Sequence, residues 1–403
     1  MNQYFIKKAV AAVAFILLLG TLSLWNLKEN GSALWEEVKS AWKNGKNLSE
    51  RIADTEQVME ENTVFRYSAV DVYGYMQLMM GKEEQNNFEV IKDQNGFLHY
   101  TYFGTDAKDV SDLADRLQEY KEKVAGTNAE VIYVMTPDKV LPGYTVFSEG
   151  LPYNYANETA DGFLKDLSKR DIAYIDLREG IRNAGIADSD LFYRTDHHWT
   201  TQAAFLGFRK LLEELEKRYD LPIENMEYYT NLDHYEQVTY KERFIGSMGR
   251  KTGVLYSGRD DFTVITPKFD TDYTYQMDNG ETSFEINGGF QKALLSPDPF
   301  EHEGGKYDVK ADLYASYLYG NQAYAHIENH MVKNGLKVLF IKDSFVLPMA
   351  SFLSTVCSDI YLVDPRYYDS DITELTNSLP ALDYIFVSFN PQSLTEEFFS
   401  FGG

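Results

Sequence analysis

The chain has 403 residues, of which 44% are hydrophobic and 15% aromatic, so it can bury one large core or two moderate ones and is not a disordered protein. Its 38 Lys and Arg against 62 Asp and Glu give a formal net charge of -24. Nucleic-acid binding needs a basic face to neutralise phosphates, so we expect no nucleic-acid partner. A strongly anionic polymer is also disfavoured as substrate, unless a local basic groove overrides the global field.

The chain contains one cysteine, Cys357, which excludes a disulfide framework and a cysteine-rich zinc site. It lies in an apolar stretch, residues 345–357, that is typical of a helix. We expect a buried, unreactive thiol in that helix.

The amino terminus predicts a membrane segment. Lys7 and Lys8 precede an uncharged apolar run from Ala9 to Trp25, which is long enough to span a bilayer if the preceding residues and snorkelling lysines extend it. A cleaved signal peptide is the alternative, but no small-x-small cleavage pattern follows the run, which favours an uncleaved signal anchor. By the positive-inside rule, residues 1–26 form a cytoplasmic tip and anchor, and the rest of the chain lies outside the cytoplasm.

Three further regions follow from composition. Residues 27–62 are rich in Glu, Lys, Asn and Ser and predict a juxtamembrane stalk, and residues 63–403 predict a catalytic domain. Within that domain, Asn95-Gly96 lies between two apolar runs and predicts a β-hairpin. Residues 220–335 are rich in Tyr, Asp and Gly, with frequent turn signals, and predict an irregular, partly β insertion that roofs the site. Its tyrosines favour stacking on sugars.

Helical and strand periods alternate through the remainder of the domain. Apolar spacing predicts helices over 110–124, 163–167 and 201–219, and buried strands over 131–135, 172–176, 338–341, 360–363 and 384–389. Alternation at these lengths predicts an α/β fold, with a parallel sheet covered by helices on both faces.

A polar cluster, Asp196-His197-His198-Trp199, stands directly before the predicted helix at 201–219. A loop feeding a helix holds polar side chains at the edge of a sheet. Three interpretations fit: an Asp-oriented His acting as general base, a metal site of a phosphoesterase, and a buried structural network. The metal site needs further ligands, and the other histidines considered show no ligand spacing: His234, His302, His326 and His330. We therefore predict no metal and no cofactor.

A second candidate segment, Lys342-Asp343-Ser344-Phe345, follows a predicted buried strand and opens a helix. Ser344 would project its hydroxyl at the carboxyl end of a parallel sheet, with its backbone amide near a helix start. That geometry suits a nucleophile with part of an oxyanion hole. The alternative interpretation is an ordinary helix N-cap.

The two segments together supply a nucleophile, a base and an orienting acid. Asp196 and His198 are two positions apart and face the same way in an extended segment, whereas His197 faces away. We therefore assign His198 as base and Asp196 as orienting acid, and leave His197 as a structural or substrate contact. Asp343 is an alternative acid, although its position also fits stabilisation of a helix start.

These segments resemble the SGNH-hydrolase-like DHHW proteins, which are related to the alginate O-acetyltransferase family. Asp196-His197-His198-Trp199 and Asp343-Ser344-Phe345 carry the resemblance, and Pro137-Asp138-Lys139 adds to it. The resemblance implies a flavodoxin-like sheet and extracytoplasmic acetyl transfer to a polysaccharide. It also implies Ser344 as nucleophile, His198 as base and Asp196 as acid. Family members commonly work beside a membrane-bound O-acyltransferase, which would deliver the acetyl donor.

The chain departs from the family pattern at the oxyanion hole. Lys342 stands where the family has a glycine, which leaves the tightness of the turn open. The usual oxyanion Gly and Asn have no secure counterpart, and Asn390, after the last predicted strand, is the nearest candidate. Asn390 precedes Pro391 and also fits a plain turn residue. His197 and Trp199 complete the set of possible substrate or oxyanion contacts.

The sequence thus predicts a single-pass, membrane-anchored O-acetyltransferase acting on a cell-surface or extracellular polysaccharide. A carbohydrate acetyl esterase with the same triad is one alternative, because transfer and hydrolysis differ only in which nucleophile reaches the acyl-enzyme. A non-catalytic scaffold of a polysaccharide-modification complex is the other.

Overall fold

The computed structural model describes residues 3–43, 52, 55, 59, 63–219, 221, 223–280, 282–301 and 311–402. His302 and most of the predicted stalk beyond residue 43 lie outside the described residues. The chain divides into two compact units, Met1–Met76 and Gln77–Gly403.

The first unit contains one long helix, α1 (Gln3–Lys43). Its segment Tyr4–Ser32 is long and apolar enough to cross a membrane. The large apolar side chains of this segment are exposed, as Leu17 and Leu18 illustrate. A membrane anchor and a signal sequence share this length and composition.

Helices and strands alternate from residue 66 onward, and the first of these helices begins in the first unit and ends in the second. The remaining helices are α2 (Arg66–Met79), α3 (Ser111–Lys123), α4 (Ala156–Lys169), α5 (Leu177–Arg182), α6 (Thr201–Arg218), α7 (Met226–Tyr229), α8 (Ser247–Thr252), α9 (Val254–Ser257), α10 (Phe290–Leu294), α11 (Asp298–Glu301), α12 (Val346–Leu353) and α13 (Ile372–Ser378). The strands are β1 (Glu84–Gln85), β2 (Val90–Lys92), β3 (Leu98–Tyr100), β4 (Glu130–Met135), β5 (Ala173–Asp176), β6 (Tyr235–Phe244), β7 (Asp260–Pro267), β8 (Tyr273–Asp278), β9 (Ser283–Gly288), β10 (Tyr324–Asn329), β11 (Leu336–Lys342), β12 (Cys357–Val363) and β13 (Tyr384–Phe389).

An eight-stranded sheet forms the centre of the second unit, in the order β5-β4-β13-β11-β12-β10-β8-β9. The first five strands pair in parallel, and β10, β8 and β9 extend the sheet in antiparallel fashion. The predicted α/β fold with a parallel-rich sheet is therefore confirmed.

The insertion at 220–335 is more closely integrated than the sequence suggested. It supplies β8, β9 and β10 to the central sheet, and β6 pairs with β7 as a separate two-stranded ribbon. Tyr273 and Tyr275 alternate toward the core of this sheet and are fully buried. The expectation that the tyrosines of this segment stack on sugars is wrong for these two, because they are core residues.

Helices cover both faces of the sheet, as predicted. Ile132 and Val134 of β4 pack in one cluster with residues of α6 and α12. The alternate residues Val131, Tyr133 and Met135 pack in a second cluster with α3, α4 and α13. This division follows from the two-residue period of a strand, which sends successive side chains to opposite faces.

The predicted hairpin is confirmed. Strands β2 and β3 pair in antiparallel fashion around Asn95-Gly96. Gly96 has φ +86°, a conformation that glycine adopts without steric penalty.

The predicted helix over 345–357 is too long at its carboxyl end. Helix α12 ends at Leu353, and Cys357 is the first residue of β12. The hydroxyls of Ser354 and Thr355 donate to the carbonyls of Ser351 and Phe352, a local bond that competes with helix continuation. Cys357 is buried, and burial raises the pKa of its thiol.

Trp199 lies fully buried against α6, where a glycine leaves room for it. A Cβ atom at Gly207 would lie 2.7 Å from Cη2 of Trp199. By contrast, a Cβ atom at Gly162, on the exposed face of α4, would meet nothing within 4 Å.

We predict opposite effects of alanine at these two helical glycines. Gly162→Ala should stabilise the protein by about 0.5–1 kcal/mol, through helix propensity alone. Gly207→Ala should instead destabilise it by about 1–3 kcal/mol, because Trp199 must move in a packed core. Urea unfolding followed by circular dichroism measures both changes. Equal stabilisation by the two substitutions would contradict the packing of Trp199 on α6.

Candidate active site

The carboxyl ends of four adjacent parallel strands, β4, β13, β11 and β12, carry the polar residues of a small cavity. Asp138 follows β4, Asn390 follows β13, Ser344 follows β11 and Arg366 follows β12. All four line this cavity of about 120 Å³, together with His197. Open α/β sheets bind ligands at this edge.

A continuous chain of hydrogen bonds connects Ser344, His198 and Asp196. His198 Nε2 lies 2.6 Å from Ser344 Oγ, and His198 Nδ1 lies 2.5 Å from Asp196 Oδ1. An ionised carboxylate only accepts hydrogen bonds, so Nδ1 carries the proton and donates to Asp196. His198 Nε2 is then left as the acceptor for the Ser344 hydroxyl. This arrangement fits a serine nucleophile with a histidine base.

Asp196 is held by donors on both carboxylate oxygens. Oδ1 also accepts from the backbone amide of His198 at 3.0 Å, and Oδ2 accepts from the amide of Ser247 at 2.6 Å. Burial alone would raise the pKa of Asp196, but electrostatic interaction with the adjacent imidazoles of His198 and His197 and these hydrogen bonds hold that pKa well below its usual range. Asp196 is therefore ionised in its buried position.

The loop that carries Asp196 and His198 is not extended, in contrast to the expectation from their two-residue spacing. The Asp196 side chain bonds the amide two residues on, which folds the backbone into an Asx turn. As a result, His197 does not face away: its ring lies 3.8 Å from the ring of His198 and lines the cavity. His197 Nδ1 is 3.1 Å from Ser247 Oγ. Burial and the charge of His198 lower the pKa of His197 to about 3, so this side chain is neutral at pH 7.

The turn at Ser344 is capped by its neighbour. Asp343 Oδ1 accepts from the amide of Phe345 at 3.0 Å, while the Ser344 hydroxyl bonds His198. The helix-cap interpretation of Ser344 is therefore wrong: Asp343 closes a turn before α12, whose N-cap residue is Phe345. Asp343 Oδ2 accepts from the backbone and side chain of Asn390, both at 2.8 Å, so it serves the turn and not the base.

Trp199 and Tyr314 brace the two halves of the site. The Trp199 indole donates to the carbonyl of Phe345 and to the hydroxyl of Tyr314, both at 3.1 Å. The Tyr314 ring stacks on His198 at 3.8 Å and 8°, and its hydroxyl donates to the Ser344 carbonyl at 3.2 Å. The expectation that Trp199 contacts substrate is wrong, because its side chain is fully buried and its N–H is used internally.

Asn390 lines the cavity, but its amide hydrogens are already engaged. Its Nδ2 donates to Asp343 Oδ2 at 2.8 Å and to Ser393 Oγ at 2.9 Å. A carboxamide nitrogen carries two hydrogens. In this arrangement the side chain of Asn390 is not available to an oxyanion, in contrast to the expectation from sequence.

Lys342 also has a structural explanation. It is the last residue of β11 and has no positive φ, so the turn does not require glycine there. Its buried Nζ bonds Asn321 Oδ1 at 2.9 Å and Asp364 Oδ2 at 3.2 Å.

Several residues contact the segment 194–199, which we call the histidine loop, and could not be assigned a role from the sequence. Lys139 Nζ donates to the carbonyls of Arg194 at 3.0 Å and Asp196 at 2.6 Å, and burial lowers the pKa of this lysine to about 7. Asp260 accepts from the amides of Arg194 and Thr195 at 2.9 and 2.8 Å. In the sequence, Lys139 stood out only as part of the Pro137-Asp138-Lys139 motif. Asp260, Ser247 and Tyr314 carried no signal, because only the tertiary fold brings 220–335 to the loop.

The donor atoms of Asp196, His197 and His198 lie within 4.8 Å of one another, as a metal site requires. However, both ring nitrogens of His198 already bond, one to Asp196 and the other to Ser344. A metal ion held by His198 would have to break one of these bonds.

Gly246 gives a direct test of the position of Asp196. A Cβ atom at Gly246 would lie 2.1 Å from Cβ of Asp196 and 2.4 Å from its Oδ2, so Gly246→Ala must displace the carboxylate. We expect the rate of Ser344 labelling by a fluorophosphonate probe to fall about 100-fold or more, because misplacement by about 1 Å has that effect. Gly126→Ala is the control, since its Cβ would meet nothing within 4 Å. A folded Gly246→Ala variant with the wild-type labelling rate would contradict the arrangement.

The chain is similar to known proteins over part of its sequence and in its fold. Residues 97–242 match the family model described as SGNH hydrolase-like domain, acetyltransferase AlgX, a segment that includes the histidine loop but not Ser344. No curated protein matches the chain.

Two solved structures share the fold. A DHHW family protein from Eubacterium siraeum is 21% identical, with a TM-score of 0.55 over 77% of this chain and 93% of its own. Bacillus cereus PatB1, solved with a sulfonyl adduct, is 19% identical, with a TM-score of 0.60 over 78% of this chain and 97% of its own. The expected resemblance is thereby confirmed: residues 97–242 match an SGNH hydrolase-like acetyltransferase domain, and the chain shares its fold with a DHHW family protein.

Proposed function

We propose that the protein is a membrane-anchored, extracytoplasmic O-acetyltransferase that acetylates a polysaccharide through Ser344, His198 and Asp196. The hydrogen-bonded chain from Ser344 Oγ through His198 to Asp196 carries this proposal. The match of residues 97–242 to an acetyltransferase domain supports acyl transfer as the reaction class.

The first half-reaction forms an acetyl-enzyme. Ser344 Oγ attacks the carbonyl carbon of an acetyl ester while His198 Nε2 takes the hydroxyl proton. The carbonyl electron pair moves onto oxygen and returns as the ester C–O bond breaks. His198 then gives its proton to the departing alcohol. Asp196, held ionised, stabilises the imidazolium that forms between these two transfers.

The second half-reaction transfers the acetyl group to a sugar. A sugar hydroxyl loses its proton to His198 Nε2 and attacks the acetyl carbon, and Ser344 Oγ leaves and regains the proton. Water in place of the sugar hydroxyl gives hydrolysis by the same steps. A polysaccharide acceptor, and a membrane-bound O-acyltransferase that delivers the donor, remain predictions.

The triad is tested by substitution with a labelled acetyl ester, with and without oligosaccharide acceptor. Ser344→Ala should lower kcat by about 10⁴-fold or more, and Asp196→Asn by about 10⁴-fold, because the base loses its orientation. Ser168→Ala is the control: its hydroxyl donates to the carbonyl of Leu164 within α4, outside the cavity.

The acetylated product separates the alternatives. Label recovered in oligosaccharide supports transfer, and label recovered only as acetate identifies an esterase. Full activity of Ser344→Ala would contradict the triad. Activity that is lost only when a chelator is added would contradict it as well. A folded wild type that neither turns over nor reacts with a fluorophosphonate or sulfonyl fluoride would leave the scaffold interpretation.

The anchor is tested in the full chain. The double substitution Leu17→Arg and Leu18→Arg places two charges within Tyr4–Ser32. Each charge is unfavourable by about 2.5–3.5 kcal/mol at the centre of a bilayer. The variant should therefore be released from the membrane fraction. Trp35→Arg, which is exposed and lies beyond that segment, should leave it bound. Amino-terminal sequencing of the wild type should recover the uncleaved segment. A mature chain that starts after it would identify a signal peptide.

A further inference from the structure

Acyl transfer at Ser344 needs hydrogen-bond donors where the carbonyl oxygen becomes negative. The cavity offers few free side-chain donors of this kind. Asn390 gives its amide hydrogens to Asp343 and Ser393, and Ser393 gives its hydroxyl hydrogen to Asp343. Gln392 gives one amide hydrogen to Asp138. The cavity therefore lacks the asparagine donor that the family resemblance led us to expect.

Arg366 is the cation among the described residues that line this cavity. Its Nε donates to Asp364 Oδ1 at 2.9 Å, and its Nη2 donates to Asp364 Oδ2 at 2.7 Å. The guanidinium also lies 4.8 Å from the centre of the Phe398 ring. Two-point bonding to a fully buried carboxylate fixes the orientation of the guanidinium. Within the described part of the chain its Nη1 group makes no hydrogen bond, so its hydrogens are free.

Arg366 shares its carboxylate partner with a second cation. The carboxylate of Asp364 lies 2.7 Å from Arg366 Nη2 and 3.2 Å from the buried ammonium of Lys342, the residue at the position where the family has glycine. The buried carboxylate of Asp343 also interacts electrostatically with both cations. The Asp364 pair occupies Nε and Nη2 of Arg366 and leaves Nη1 outside it.

Arg366 and Ser344 line the same small cavity, of about 120 Å³. An acetyl group bonded to Ser344 Oγ would lie in this cavity, so its carbonyl oxygen would become negative in the space that Arg366 lines.

We propose that Arg366 is a catalytic residue that donates from Nη1 to the oxyanion formed on the acetyl carbonyl at Ser344. The inference rests on the proposed function. In both half-reactions the carbonyl electron pair moves onto oxygen opposite the guanidinium and returns when the leaving group departs. Arg366 gives up no proton in either step, because a guanidinium stays protonated in proteins.

The test measures acetyl-enzyme formation directly, as the burst of p-nitrophenol from p-nitrophenyl acetate with full-length protein. Arg366→Gln should lower the burst rate constant about 100- to 1,000-fold, the usual effect of removing one oxyanion donor, with the KM for an oligosaccharide acceptor unchanged. Arg366→Lys should recover part of the rate, because it restores the charge but not the fork. Arg170→Gln is a matched control, because Asp115 also holds this arginine and it does not line the cavity.

Each result decides between interpretations. A normal burst with a raised acceptor KM would mean that Arg366 binds the acceptor, and a normal burst with normal KM would mean that it is structural; both overturn the proposal. If Arg366→Gln does not fold, the burst of a folded Arg366→Lys decides: a rate equal to wild type overturns the proposal. Absence of any burst in the wild type, with Ser344 unlabelled, would instead overturn the proposed function, and this inference with it.

Discussion

The contact between His198 Nε2 and Ser344 Oγ joins segments 146 positions apart, and the rest of the site depends on it. A hydroxyl and an imidazole exposed to water gain little from such a bond, so the backbone on each side must already be placed. The Trp199 indole supplies one brace, since it donates to the carbonyl next to Ser344. Tyr314 supplies the other, because it stacks on His198 and bonds the Ser344 carbonyl. Chemistry and packing are therefore parts of one buried network.

The segment 220–335 holds the loop that carries His198 in place. Strand β7 begins with Asp260, whose carboxylate receives two backbone amides of the histidine loop. Ser247 binds Asp196 through its amide and His197 through its hydroxyl. A loop with four polar or aromatic side chains in succession has weak local preferences. Its conformation is imposed by these distant backbone and carboxylate partners.

The acidic surface of the chain contrasts with the cation that lines the cavity beside Asp138 and Asp343. The chain carries a net charge of -24, which opposes the approach of an anionic polymer. Inside the cavity, Arg366 presents a guanidinium fixed by Asp364. The field of this guanidinium acts over a short range because salt screens it. It therefore favours an oxyanion that forms inside the cavity over an anionic group that must first cross the acidic surface of the protein.

The amino-acid sequence by itself determined the fold class and the pairing of Asp196 and His198 with Ser344. Alternating apolar periods, the Asn95-Gly96 turn and the residue types at the carboxyl ends of strands are local properties, and they survive folding. The prediction of this pairing assumed that the loop is extended. In the structure the loop is an Asx turn, which keeps His197 beside His198.

Tertiary structure alone decided which polar groups remain free. The sequence marked Asn390 and Trp199 as candidate substrate or oxyanion contacts and did not mark Arg366, since no local pattern records where a hydrogen bond is already made. Folding commits the amide of Asn390 to Asp343 and buries the indole of Trp199. It leaves Arg366 lining the cavity beside Ser344. Burial and long-range partners determine availability, and these exist only once the strands are assembled.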